Sequence, residues 1–406
     1  MERKDNWKKN TILFLTSQTI SMTGSMLVQY AITWYITLET QSGLMMTISI
    51  ICGFLPMFFI SPFAGVWADR YSRKKLIILS DSLIAIATLI LAILFIMGFE
   101  AIWLLFVASA IRSLGTGIQV PSVGAFLPQI VPQDKLTRVN GINSSIQAFV
   151  TLLSPMASGA LMSFASIDII FFIDVITAAI AIFILLVFLD VPLHAKAIAK
   201  EKGSYLEDIR KGIEYINNNS FIKAIFIFCA IYFVLISPLA FLTPLQVARS
   251  FGSDVWRLTA MEMAFSIGMM IGGILIAYWG GFKNRLHTMA MASGVISICT
   301  LALGMIRVFW IYSLLMGIIG LAMPFFNTPF TVVLQEKVHG NYLGRVFGVL
   351  NMISSSVMPL AMVLFGPLAD IVKIEWLLIV TGLLMLVQST FLISNKVLFQ
   401  AGKQSE

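Results

Sequence analysis

Long apolar runs alternate with short polar gaps along the whole chain. Runs wide enough to span a bilayer lie near 12–38, 43–67, 76–97, 101–122, 140–163, 168–189, 221–246, 258–280, 286–305, 308–332, 343–368 and 375–395. Each is predicted to be a helix, because hydrocarbon offers no partner to an unpaired backbone N–H or C=O. Prolines inside these runs (Pro56, Pro62, Pro155, Pro238, Pro244, Pro324, Pro329, Pro359) would break a soluble helix. In a membrane bundle, neighbouring helices and small polar side chains can satisfy the freed groups. The longest polar stretch follows the sixth run. It divides the chain into a predicted six-helix bundle over 1–190, a cytoplasmic linker over 191–220 with a short amphipathic helix near Tyr205–Tyr215, and a second six-helix bundle over 221–406. The fold class expected is an all-α, polytopic membrane protein.

The two halves echo each other. Leu136-Thr137-Arg138-Val139-Asn140-Gly141 precedes the fifth run, and Leu343-Gly344-Arg345-Val346-Phe347-Gly348 opens the eleventh, 207 residues later. Gly159 and Gly366 are separated by the same offset. Such duplication fits a pseudo-symmetric six-plus-six carrier with its binding site between the halves.

Composition agrees: 58% of residues are hydrophobic and only 12% charged, more apolar surface than a water-soluble fold can hide. The 27 basic residues outnumber the 20 acidic ones, yet they fall in the gaps instead of on an aromatic-lined basic face, which argues against nucleic acid as a partner. With the N-terminus inside, 22 of the basic residues sit in cytoplasmic segments and four in outer gaps (Arg249, Arg257, Arg307, Lys373), while Arg112 lies within a span. That asymmetry predicts an inner-membrane protein with both termini cytoplasmic and an uncleaved first span. Cys52, Cys229 and Cys299 lie in apolar runs without metal-type spacing, and His194, His287 and His339 are far apart, so no metal site is expected. There is no phosphate-binding G-x-x-x-x-G-K-[ST] loop. Without a nucleotide or other cofactor, the energy must come from an ion gradient, and a proton is the simplest coupling ion.

Candidate chemistry concentrates in a few places. Between the second and third runs stands Gly65-Val66-Trp67-Ala68-Asp69-Arg70-Tyr71-Ser72-Arg73-Lys74-Lys75. Gly65 would permit close helix approach, and Asp69 would accept hydrogen bonds at a helix N-terminus. Arg70, Arg73 and Lys74 would bridge to acids or helix C-termini. This segment resembles the major facilitator signature G-x-x-x-D-R-x-G-R-R/K, departing from it at Ser72. Arg112-Ser113-Leu114-Gly115-Thr116-Gly117 resembles that family's fourth-helix arginine motif. Ser154-Pro155-Met156-Ala157-Ser158-Gly159 is similar to its fifth-helix antiporter motif G-P-x-x-G-G, with serine at two glycine positions. The whole chain resembles twelve-span drug:proton antiporters of the macrolide-efflux type. Gly53-Phe54-Leu55-Pro56 and Tyr342-Leu343-Gly344-Arg345-Val346-Phe347 add to that likeness.

The resemblance implies the major facilitator fold and a monomer that exports small hydrophobic drug-like molecules against a proton gradient, an antibiotic-resistance activity. It implies a conformational latch at Gly65, Asp69, Arg70, Arg73 and Lys74, and a proton-transfer role for Arg112. The same branch contains siderophore exporters and lysophospholipid carriers, so a metabolite carrier stands as the alternative. A membrane enzyme or sensor is the remote one, since no catalytic cluster is found.

An ionisable side chain within a span is costly unless paired or wet, so each is a functional candidate. Asp81 and Arg112 are expected to pair within the first bundle, directly or through water, and to carry proton coupling. Gln18, Gln29, Asn143, Gln147, Asp174 and Glu262 are candidate polar residues of the cavity, amid methionines and phenylalanines suited to large variable ligands.

Overall fold

A computed structural model describes residues 7–189, 205–339 and 342–394; within them, the side chains of Asp69, residues 205–209, 211 and 212, Gly344, Asn351 and Ile393 lie outside the description. The expected carboxylate chemistry of Asp69 and the linker segment with His194 therefore fall outside it.

Among the described residues there are thirteen α-helices and no strand. They are α1 (Trp7–Thr40), α2 (Gly43–Arg70), α3 (Arg73–Ile96), α4 (Ile102–Ile130), α5 (Gln133–Phe164), α6 (Ile167–Val187), α7 (Tyr205–Asn218), α8 (Ser220–Phe251), α9 (Val255–Trp279), α10 (Arg285–Leu303), α11 (Phe309–Lys337), α12 (Leu343–Ile371) and α13 (Ile374–Ser394). All but α7 are long and apolar enough to cross a membrane. The twelve expected spans are all present, and several run on into their polar flanks.

Side chains stop and start these helices where the sequence supplies them. Asn219 Oδ1 accepts from the N–H groups of Phe221 and Ile222 (3.1 Å each), separating α7 from α8 by a single residue. Asn284 caps α10 in the same way at Leu286 (3.0 Å). Ser72, where the family signature has glycine, is extended (φ −63°, ψ 114°) and its hydroxyl accepts from Lys75 N–H (3.5 Å). No positive φ is needed there, so serine serves as an N-cap.

The chain forms two compact units. One comprises Met1–Ile36 with Ile48–Lys202, the other Thr37–Thr47 with Gly203–Glu406. In the first, α3 packs on α4 and α6, over a core of Phe14, Ile77, Phe126, Leu185 and Leu189. The Phe14 and Phe126 rings lie 4.8 Å apart. In the second, α9 packs on α11, α10 on α11 and α13, and α8 on α12 and α13. The tether helix α7 packs on α12: the Tyr215 and Tyr342 rings stack at 4.5 Å, and His339 N–H donates to the Tyr215 hydroxyl (3.1 Å). It is thus fastened to protein through Tyr215.

Candidate functional site

The first unit holds a buried polar cluster made by α1, α3, α4 and α6. Gly24 on α1 creates room for it. A Cβ there would stand 2.0 Å from Thr177 Oγ1 and 3.0 Å from the Asp174 Cα, so only glycine lets α1 and α6 come this close. Ser21 and Ser25 lie one helical turn apart on α1 and each donates to a carboxylate. Ser21 Oγ reaches Asp81 Oδ1 on α3 (3.1 Å), and Ser25 Oγ reaches Asp174 Oδ1 on α6 (3.2 Å).

Arg112 on α4 joins this cluster at Asp174. Its Nη1 makes an ion pair with Asp174 Oδ2 and also donates to the Thr88 hydroxyl, while Nη2 donates to the Ser25 carbonyl (3.1 Å). Thr88 in turn donates to Asp174 Oδ2 (3.0 Å). The direct Asp81–Arg112 pair expected from sequence is not formed. Asp174 takes the arginine because α6 is drawn against α1 at Gly24, while Asp81 Oδ1 accepts instead from Ser21 and from Gln119 Nε2.

The three charged groups are removed from solvent: Asp81 is 1% exposed, Arg112 5% and Asp174 0%. Among the described residues, Asp81 Oδ2 and Arg112 Nε have no hydrogen-bond partner. The buried cation Arg112 thus pairs with one of the two buried carboxylates, Asp174. An ionised carboxylate without a cation is expensive in such a place, and Oδ2 of Asp81 is the atom left bare.

Small residues bring α4 into position. A Cβ at Gly115 would strike Ile84 of α3 at 2.5 Å, and one at Gly117 would meet Ile60 at 2.3 Å and the Met57 carbonyl of α2 at 3.2 Å. Beside Pro56, the Met57 N–H donates to Ser113 Oγ (3.0 Å). On α5, Ser154, Pro155, Ser158 and Gly159 are buried, and Ser158 Oγ donates to the Leu27 carbonyl of α1 (3.0 Å).

At the α2–α3 turn, Arg73 donates to the carbonyls of Ala68 (3.0 Å) and Ala125 (2.9 Å), and Lys74 Nζ to the carbonyl of Leu189 (2.6 Å). These cations stitch together α2, α4 and the end of α6. Arg70 is exposed. Gly65 differs from expectation: a Cβ there would meet nothing within 4 Å, so this glycine does not mark a close approach.

A cavity of about 380 Å³ in the second unit is lined by Phe282, His287, Ala290, Met291, Ser389 and Thr390. A larger one, about 660 Å³, opens between α1 and α5 of the first unit, lined by Thr19, Arg138, Gly141, Ile142, Ser145, Ile146 and Phe149. Its size suits a drug-sized ligand. The expected cavity residues Gln18, Asn143 and Gln147 neighbour these positions in sequence without lining it. Gln29 is exposed and Glu262 half-buried. Thr19 and Ser145 carried no motif, whereas Arg138 and Gly141 belong to the repeated Leu136–Gly141 stretch.

A family model described as Major Facilitator Superfamily matches residues 14–362. The chain is 28% identical over 388 residues to macrolide efflux protein A of Streptococcus pyogenes, covering 95% of this chain and 96% of that protein. It is 21% identical to the staphyloferrin A transporter of Staphylococcus aureus, over 89% of this chain and 90% of the other. Among solved structures, the nucleoside transporter NupG superposes with a TM-score of 0.69 at 15% identity, over 97% of this chain and 99% of that one. A D-xylose–proton symporter does so at 0.67 and 11% identity, over 97% and 100%.

Proposed function

The chain belongs to the major facilitator superfamily, and from that premise we propose that it exports hydrophobic, drug-like molecules of the macrolide type in exchange for protons. It is a membrane transporter and not an enzyme. Support for the direction and substrate comes from its likeness to a macrolide efflux protein along nearly the whole chain. Support for the proton comes from one observation: of two buried carboxylates, Asp174 is paired with the buried cation Arg112 and Asp81 is not.

Asp174 is neutralised by Arg112. Asp81 is the carboxylate whose charge is left over, so it is the group that takes up and gives off the proton. Ser21 connects it to α1, and α1 supplies Thr19 to the larger cavity. Ligand entry there displaces the helix that holds the carboxylate. Both termini lie in the cytoplasm and the membrane is the cell membrane, on the strength of the basic residues' distribution.

Purified protein in liposomes, loaded with a pH gradient, should accumulate a labelled macrolide antibiotic. Asp81→Asn should abolish the gradient-driven part and retain equilibrium binding of the same drug. Undiminished gradient-driven uptake by Asp81→Asn would sink the coupling role, and failure to move any macrolide would sink the substrate.

A second reading, a carrier for a siderophore, lysophospholipid or other metabolite, is favoured by Arg138. Arg138 lines the larger cavity, and its positive charge would attract an anionic head. Competition by lysophosphatidylglycerol, lost in Arg138→Gln, would select this reading.

A further inference from the structure

The cavity of about 380 Å³ lies wholly in the second unit and has no part in the reading above. It sits between α10 and α13, packed neighbours that run in opposite senses, where the first turns of one meet the last turns of the other.

Its rim is built by the chain. Gly280 and Gly281 both take the left-handed conformation (φ 75° and 85°) and turn the backbone after α9. Phe282 N–H then donates to Thr288 Oγ1 (2.9 Å), and the Phe282 ring stands edge-on against Trp279 at 4.8 Å. These contacts fix Phe282 at the cavity. Ala290 is the buried floor, 4% exposed, and its single methyl leaves the space that a longer side chain would fill.

The lining changes character along α10. Met291 lies one turn further into the span than His287, and outside it the surface is apolar and exposed, with Ile298 at 58% and Val387 at 67%. In a spanning helix such a surface belongs to acyl chains. Towards the helix start the groove is polar. His287 lines it, and exposed Lys283 follows Phe282. Glu336 of α11 does not offset that lysine, because Arg285 engages it (Nη2 to Oε1, 2.6 Å). On α13, the hydroxyls of Ser389 and Thr390 donate to the carbonyls of Leu386 and Val387 (2.7 Å each), so their oxygens face the cavity as acceptors.

A ligand matching this lining is apolar at one end and anionic at the other, with hydroxyl donors beside the negative charge. We propose that the groove binds one phospholipid of the phosphatidylglycerol type. Its phosphate lies against His287 and Lys283, its glycerol hydroxyls donate to Ser389 and Thr390, and an acyl chain lies over Ala290 and Met291. Basic pockets between helices on the cytoplasmic side capture anionic headgroups in this way. The proposal takes the membrane setting from the transporter reading and nothing from its substrate or its proton.

The test uses nanodiscs of phosphatidylcholine, with the same lipid in both leaflets, and protein in which alanine replaces Cys52, Cys229 and Cys299. A bimane label on Val387→Cys, one turn from Thr390, is quenched by lipid carrying a nitroxide on its acyl chain. Labelled phosphatidylglycerol should reach half-quenching at a mole fraction about fivefold lower than labelled phosphatidylcholine, the attraction that one basic residue exerts on an anionic lipid. The preference should fall towards unity in Lys283→Gln and in His287→Gln. Ala290→Leu, which fills the floor, should weaken quenching by phosphatidylglycerol; if that variant does not fold, Lys283→Gln, altered at an exposed position, decides. The same label on Ile274→Cys, an exposed position of α9 (64%), should show no preference. Equal quenching by the two lipids at Val387 would overturn the site. So would an equal preference at Ile274, which would mark a general surface attraction, or a preference that survives Lys283→Gln and His287→Gln together. Transport of any substrate, or of none, leaves these outcomes unaltered.

Discussion

Arg112 is held by a carboxylate, a hydroxyl and a carbonyl on three other helices, so the consequences of removing a partner differ sharply within one cluster. Asp174→Asn leaves a buried guanidinium without a counter-charge and should cost about 3–5 kcal/mol. In Asp81→Asn the amide oxygen can accept from Ser21 and Gln119 as the carboxylate does, so stability should fall by less than about 1 kcal/mol. Thermal unfolding of the two variants in the same detergent checks this; equal losses would mean that Asp81 is also a structural ion. Residue types told which groups mattered, because a charge inside a span stands out against 58% hydrophobic composition. Partner choice was not legible. It is decided by Gly24, whose missing side chain brings Asp174 to α1, and nothing in the local spacing of Asp81 and Arg112 reports the approach of a distant helix.

Helices α9 and α11 approach each other through glycine. A Cβ at Gly268 would lie 2.0 Å from the Gly317 carbonyl oxygen, one at Gly272 2.1 Å from that of Leu321, and one at Gly320 2.0 Å from that of Phe265. Backbone cannot step aside as a side-chain tip can. Gly268→Leu should therefore eliminate most folded protein, judged by a monodisperse size-exclusion peak, whereas Gly65→Ala should leave it unchanged because the space is open. Gly268 and Gly272 form a G-x-x-x-G pattern of the kind that packs membrane helices, a readable signal in α9. The spans were legible because hydrocarbon thickness imposes a minimum apolar length. Their ends were not: α5 begins at Gln133 and α11 reaches Lys337, since a helix keeps its own hydrogen bonds when it emerges into polar surroundings. A helix of 32 residues such as α5 is about 48 Å long against a hydrocarbon core of about 30 Å.

At the scale of the molecule, the distribution of basic residues makes a claim about sidedness that is easily checked. A cysteine at the exposed position Ser253, in cells expressing the protein, should react with a membrane-impermeant maleimide from outside; reaction only after the membrane is opened would invert the topology. The joint between α1 and α2 adds a mechanical consequence. Only Gln41 and Ser42 connect α1 to α2, and Gln41 has a φ of 45°, the one positive value outside glycine among the described residues. So short and tightly turned a joint cannot absorb movement, and α1 is a continuous rod from Trp7 to Thr40. Ser21 and Ser25 ride on that rod about 24–30 Å from Gln41, at 1.5 Å per residue. Any tilt of α1 therefore carries the Ser21 and Ser25 hydroxyls together, and with them the hydrogen bonds to Asp81 and Asp174.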